Sequence, residues 1–191
     1  MRRRTFDFIA SSVGVLLAVV LIVAGALLWW SYSFVNSQVT QQLSEQKITF
    51  PTTDSPAFKA LPADDQAAMK PYAGQQMTTG AQAQTYADHF IAVHLSEVAN
   101  GKTYSEVSAE ALASPANPVL KAQADTLFKG TTLRGLLLNA YAFWQVGQIA
   151  MIAAIIAWIA GAIMLVLAGL GFWHLRRTPA ESELVGLGSP R

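Results

Sequence analysis

Two stretches of the chain are almost purely apolar, and a mixed stretch lies between them. From Val13 to Trp30 the sequence reads VGVLLAVVLIVAGALLWW, without a polar side chain, and Ile149 to Trp173 is a second run of the same character. A helix crossing the hydrocarbon core needs about 20 predominantly apolar residues. In lipid the backbone must satisfy its own hydrogen bonds, so both runs are predicted to be transmembrane helices, at residues 8–34 and 149–175. Leu27, Leu28, Trp29 and Trp30 continue the first run past Ala24-Gly25-Ala26, a small-residue stretch resembling a signal-peptide cleavage site. The run is therefore read as an anchor that is kept.

The stretch between the spans changes to the helical start and stop signals of a water-soluble domain. Thr79 with Gln82, and Thr103 with Glu106, have the spacing of capping boxes. Asn117-Pro118 is a third start, with proline at the first helical position. Gly101 after Asn100, and Gly130 after Lys129, read as stops. These signals predict helices over Ala81–Ala99, Tyr104–Leu112 and Pro118–Lys129, with a short one at Ala63–Met69 between Pro62 and Pro71. Asp64-Asp65 reads as a solvated cap of that short helix. Only Lys47 to Phe50 has any strand character, too little to carry a sheet. Ser33 to Gln46 has no glycine or proline and can prolong the first span, while Leu133 to Gln148 can lead into the second. The predicted fold is all-α: two antiparallel transmembrane helices extended into a stalk, with a small extracytoplasmic helical cap domain. The expected segments are a cytoplasmic tail at 1–7, the first span at 8–34, the helical domain at 35–132, a helical stem at 133–148, the second span at 149–175, and a disordered cytoplasmic tail at 176–191.

Charge fixes the expected orientation. Only 13% of the chain is charged, against roughly 25% in soluble domains. No Asp, Glu, Lys or Arg occurs in the 37 residues from Phe8 to Ser44 or in the 41 from Gly135 to Leu175. Arg2, Arg3 and Arg4 flank the first span and Arg176 and Arg177 the second, so both termini are expected in the cytoplasm and residues 35–148 outside the cytoplasmic membrane. Trp29, Trp30, Trp144 and Trp173 stand near the span ends, as interfacial aromatics do; Trp158 falls mid-span and reads as a lipid-facing or packing residue.

Small residues recur at helical spacing on both spans, at Gly14, Ala18 and Gly25 and at Ala150, Ala154, Ala157 and Gly161. Such faces let backbones approach closely in lipid. They are expected to pack on each other or on a partner membrane protein, including a second copy. Tyr141, Gln145 and Gln148 form a polar stripe expected to hydrogen-bond Ser31, Ser33 or Gln38. A second candidate face, for a ligand, combines Phe90 with Leu137, Tyr141, Trp144, Gln145 and Gln148.

Little catalytic chemistry is legible. The chain has no cysteine, which removes thiolate catalysis, disulfides and cysteine metal sites. His89 and His94 are five apart, so one helix face cannot present both to a metal, and the metalloprotease pattern needs four with a glutamate between. No nucleophile elbow, phosphate-binding loop or dinucleotide fingerprint occurs. Asp88 beside His89 forms no dyad, because adjacent helical residues point apart. No ionisable side chain lies between Phe8 and Tyr32 or between Ile149 and Trp173, where proton relays and ion paths would place one. The net charge of +1 gives no reason to expect nucleic acid. No cofactor is expected and the protein is not expected to be an enzyme. A hydrolase or metalloenzyme would require three or more of Asp88, His89, His94, Glu97 and Glu106 to share a cleft.

The segments GKTYSEVS, residues 101–108, and LRGLLLNAYAFW, residues 133–144, resemble those of uncharacterised two-span membrane proteins of high-GC Gram-positive (actinobacterial) bacteria. The resemblance implies a membrane location and no functional residue. The expected function is therefore a binding, scaffolding or accessory subunit of a membrane complex whose partners are membrane lipid and another membrane protein or a second copy. The second expectation is a lipid or small-molecule sensor at the outer membrane surface.

Overall fold

A computed structural model describes residues 3–177, so most of the expected disordered tail and the flanking Arg2 lie outside the described residues. The helices are α1 (Arg3–Glu45), α2 (Pro56–Lys59), α3 (Ala63–Met69), α4 (Gly80–Tyr86), α5 (Ala92–Val98), α6 (Tyr104–Ala113) and α7 (Pro118–Arg177). A 3-10 turn at Lys70–Tyr72 and a π-turn at Ala87–Ile91 complete the regular structure. Among the described residues the only β pairing is an isolated antiparallel bridge, Thr49 with Gln76. The fold is all-α, and it divides into two units, Met1–Tyr32 with Gln148–Arg191 and Ser33–Gly147.

The first unit pairs the N-terminal part of α1 with the C-terminal part of α7. The pairing is antiparallel, since Gly14 faces Ala168 and Gly171 faces Ser11, while Gly25 lies against Ala154 and Trp158. Only 22% of the most apolar window of α1 and 11% of that of α7 is buried inside the protein. A core helix of a water-soluble protein hides most of its side chains. These two instead turn apolar surface outward along lengths sufficient to cross a bilayer.

The second unit is built on its own core. Leu43, Phe50, Met69, Met77 and Leu137 are almost wholly buried, with Val39, Phe58, Leu61, Ala83 and Ile91 around them. The loop after α1 is held by backbone bonds: the Phe50 N–H donates to the Gln75 carbonyl at 2.9 Å, and the Met77 N–H to the Ile48 carbonyl at 2.8 Å. That explains the strand character at 47–50. Two hydrogen-bonded segments replace a sheet and carry Phe50 and Met77 inward. A second cluster, Ala99, Val107 and Leu127, joins α6 to the N-terminal part of α7.

The local signals operate as the spacing predicts. At Thr79 and Gln82, and at Thr103 and Glu106, both halves of the capping box are formed. The backbone and hydroxyl hydrogen bonds from Thr103 hold the exposed Glu106 carboxyl below its ordinary range. Asn117 Oδ1 accepts from the Val119 N–H at 3.0 Å and starts α7. Asn100 and Gly101 both take positive φ, 53° and 81°, and the Gly101 N–H bonds to the Ser96 carbonyl at 2.7 Å, a left-handed close to α5.

Three expectations are corrected. Gly130 is no stop: α7 runs unbroken from Pro118 to Arg177, so the boundary expected at residue 132 is helix interior. Gly130 serves close approach instead, because a Cβ there would lie 2.3 Å from Leu95 Cδ2. The single helix expected over 81–99 is interrupted by the π-turn. Asp65 is not merely a solvated cap: its carboxylate accepts a 2.7 Å hydrogen bond from His89 Nδ1.

Candidate functional site

The small-residue faces of the two spans meet each other. Gly14, Ala18, Gly25, Ala154 and Gly161 are buried, and Ala150 and Ala157 are half-buried. A Cβ on Gly161 would lie 3.3 Å from the Ala18 carbonyl oxygen. Trp158, which the interfacial pattern left unexplained, fills the notch at Gly25: a Cβ on that glycine would lie 2.5 Å from the indole Cδ1 and Nε1. The indole N–H donates to the Ile22 carbonyl at 3.2 Å, and the ring lies 5.6 Å from Trp29. A face already used within the chain is not available to a partner, so a docking surface has to be sought elsewhere.

On the second unit two concave surfaces stand out. The first is a groove of about 480 Å³ between residues 34–46, the end of α1 and the residue after it, and residues 136–143 of α7. Gln38, Gln42 and Gln46 succeed one another at four-residue spacing along one wall, with Asn139 on the other. Phe34, Leu136 and Phe143 are each more than half exposed on its edges. Its lining holds no charged side chain, and so combines apolar surface with carboxamides that can both donate and accept.

The second surface is a cleft of about 430 Å³ beside the π-turn, between α5 and the N-terminal part of α7. Arg134 holds the π-turn. Its guanidinium donates to Asp88 Oδ1 at 2.6 Å through one terminal nitrogen, and through Nε to the Ala87 carbonyl at 3.2 Å. The same carbonyl accepts the Ala92 N–H, the i to i+5 bond that defines a π-turn. Such insertions occur frequently at functional sites. Tyr86, Phe90 and His94, four residues apart through the π-turn, stack on one side, with ring centroids 4.8 and 4.3 Å apart. Burial pushes the Tyr86 hydroxyl pKa up.

The expected ligand face is only partly assembled. Phe90 lines the cleft, but its wall on α7 is Leu133 rather than Leu137. Leu137 is fully buried in the core. Trp144 packs on Gly80, whose Cβ would lie 2.3 Å from the tryptophan Cβ. Tyr141 stacks on Trp144 at 6.3 Å. Gln145 is exposed, and neither it nor Gln148 makes a side-chain hydrogen bond among the described residues. The turn of α7 explains the difference: the face carrying Leu137 and Trp144 is spent on the core, leaving Leu133 and Lys129 beside α5.

The candidate catalytic side chains do not converge. Asp88 binds Arg134, His89 binds Asp65, the Glu106 carboxylate accepts the Thr103 N–H, His94 is bonded to the Phe90 carbonyl, and Glu97 is exposed. Among the described residues no three His, Asp or Glu side chains gather into a metal-binding group. Sequence spacing could not expose the His89–Asp65 and Asp88–Arg134 pairs, whose members come from separate elements. Compared with known proteins, the chain matches no family model, no curated protein and no solved structure.

Proposed function

We propose that the chain is a two-span protein of the cytoplasmic membrane, with both termini inside and the Ser33–Gly147 domain outside, that acts as a binding or accessory subunit of a membrane complex. The partner is a membrane protein that lays an uncharged helix or stem into the groove between α1 and α7. The observation that carries this reading is the groove itself: exposed Phe34, Leu136 and Phe143 beside a row of carboxamides, with no charge in the lining. Aromatic anchors in a charge-depleted centre are the mark of interface cores. The arginines flanking the spans support the orientation.

Photocrosslinking tests the reading. A photoreactive residue at Gln42 or Asn139, in the full-length protein in its native membrane, is expected to give one discrete protein adduct. The same group at exposed Leu112 should not. Phe143→Glu should cut the adduct at least tenfold, because docking would bury an unpaired carboxylate. Adducts only to lipid at both groove positions would contradict the proposal. An adduct of twice the chain mass would identify the partner as a second copy.

A further inference from the structure

We propose that the cleft beside the π-turn binds a small neutral amphiphile: a largely apolar body, aromatic ring systems included, bearing one hydroxyl or N–H donor. The size fits, since about 430 Å³ lies within the roughly 300–1,000 Å³ usual for small-molecule sites. The floor is the stacked row Tyr86, Phe90 and His94, and Leu95 and Leu133 are apolar walls. A flat ring on such a floor gains offset stacking in addition to its burial.

The polar requirement follows from His94. Its Nδ1 lies 2.7 Å from the Phe90 carbonyl oxygen. A carbonyl only accepts, so Nδ1 carries the proton, and in the neutral ring Nε2 is left as an acceptor. No protein group among the described residues bonds Nε2, and it is not among the atoms closed off from solvent without a partner. His94 thus offers the cleft a fixed acceptor at the end of the aromatic floor, which favours a ligand with a donor. The lining carries no net charge to favour an ion, since Lys129 Nζ and Asp125 Oδ2, both lining the cleft, pair with one another at 2.6 Å. This site is separate from the groove proposed for the partner, and either can fail alone.

The test uses the full chain in lipid nanodiscs, with empty nanodiscs subtracting partition into lipid, and 1-naphthol as the probe in equilibrium dialysis. Saturable binding of one naphthol per chain is expected, at least tenfold tighter than 1-methoxynaphthalene, which keeps the ring body and loses the donor. His94→Phe keeps the stack and loses the acceptor, and should bring the two probes to equal affinity. Leu133→Trp fills the cleft and should abolish both. Thr126→Trp, on the exposed side of α7, repeats that blockade should Leu133→Trp fail to fold. Absence of saturable excess binding, equal affinity of the two probes for the parent chain, stronger binding of 1-naphthoate, or a preference unchanged by His94→Phe would each overturn the proposal.

Discussion

Replacing Phe50 with alanine is expected to destabilise the Ser33–Gly147 domain by about 3–5 kcal/mol, the usual cost of deleting a buried phenylalanine. Phe50 is 1% exposed, with its ring 5.4 Å from Tyr72 and 5.3 Å, edge to face, from Tyr86. Its removal therefore opens a cavity and ends two aromatic contacts. Its position is held by backbone hydrogen bonds to the 74–75 segment, so the surroundings have little freedom to collapse into the space. Domains of this size are stable by only about 5–15 kcal/mol, so much of the total would be lost. At roughly 4–8 °C per kcal/mol the melting temperature should fall by more than 10 °C. The thermal transition of the full chain in micelles, followed by near-ultraviolet circular dichroism, measures this. Leu112→Ala, at a residue 80% exposed, should leave it within about 2 °C. A fall for Phe50→Ala as small as that for Leu112→Ala would mean that the core is elsewhere.

The second large effect is expected in the paired helices of the first unit. Gly25→Leu places a branched side chain where even a Cβ lies 2.5 Å from the Trp158 ring and 3.2 Å from the Ala154 carbonyl. The carbonyl cannot swing aside, and displacing the indole breaks its bond to Ile22. The helices must separate, at the roughly 1–3 kcal/mol typical of overpacking or more. The absence of native cysteine makes this measurable. A Cβ on Gly14 lies 3.3 Å from Ala168 Cβ, close to the span of a disulfide. A Gly14→Cys, Ala168→Cys double variant should therefore oxidise within one chain. Gly25→Leu should reduce that crosslink several-fold, while Gly169→Leu, with nothing within 4 Å of the added Cβ, should not. Equal crosslinking in the two backgrounds would contradict the packing.

Features written in local spacing were legible from residues alone. The two apolar runs become the apolar parts of α1 and α7, and α3 has the expected bounds, Ala63–Met69. Both capping boxes need only residues three apart, and both form. The small-residue faces were also legible, because helical periodicity places Gly14, Ala18 and Gly25 on one side. Whether they would meet each other or a partner was left open, and a glycine notch filled by Trp158 has no signature in spacing. Gly130 shows why: a glycine near the end of a helical pattern can be a stop or a point of close approach, and only the position of Leu95, 35 residues away, decides. The π-turn has the same origin, since the Arg134 guanidinium that binds the Ala87 carbonyl belongs to a different helix. Phe90 was legible as a candidate because helical spacing puts it with Tyr86, Val93 and Val98 on an apolar face of the helix expected over 81–99. Spacing alone only removes its companion His94 from a metal site shared with His89, and its role as an acceptor emerges once Nδ1 is seen on the Phe90 carbonyl.

The membrane topology is tested most directly by single-cysteine labelling in intact cells, starting from the naturally cysteine-free chain. Ala116→Cys, in the exposed turn between α6 and α7, is predicted to react with a membrane-impermeant maleimide without permeabilisation. Thr5→Cys and Ser182→Cys are predicted to react only after permeabilisation. Labelling of either terminus in intact cells, or protection of Ala116→Cys until the membrane is opened, would contradict the account of a membrane-anchored domain presented on the outer face.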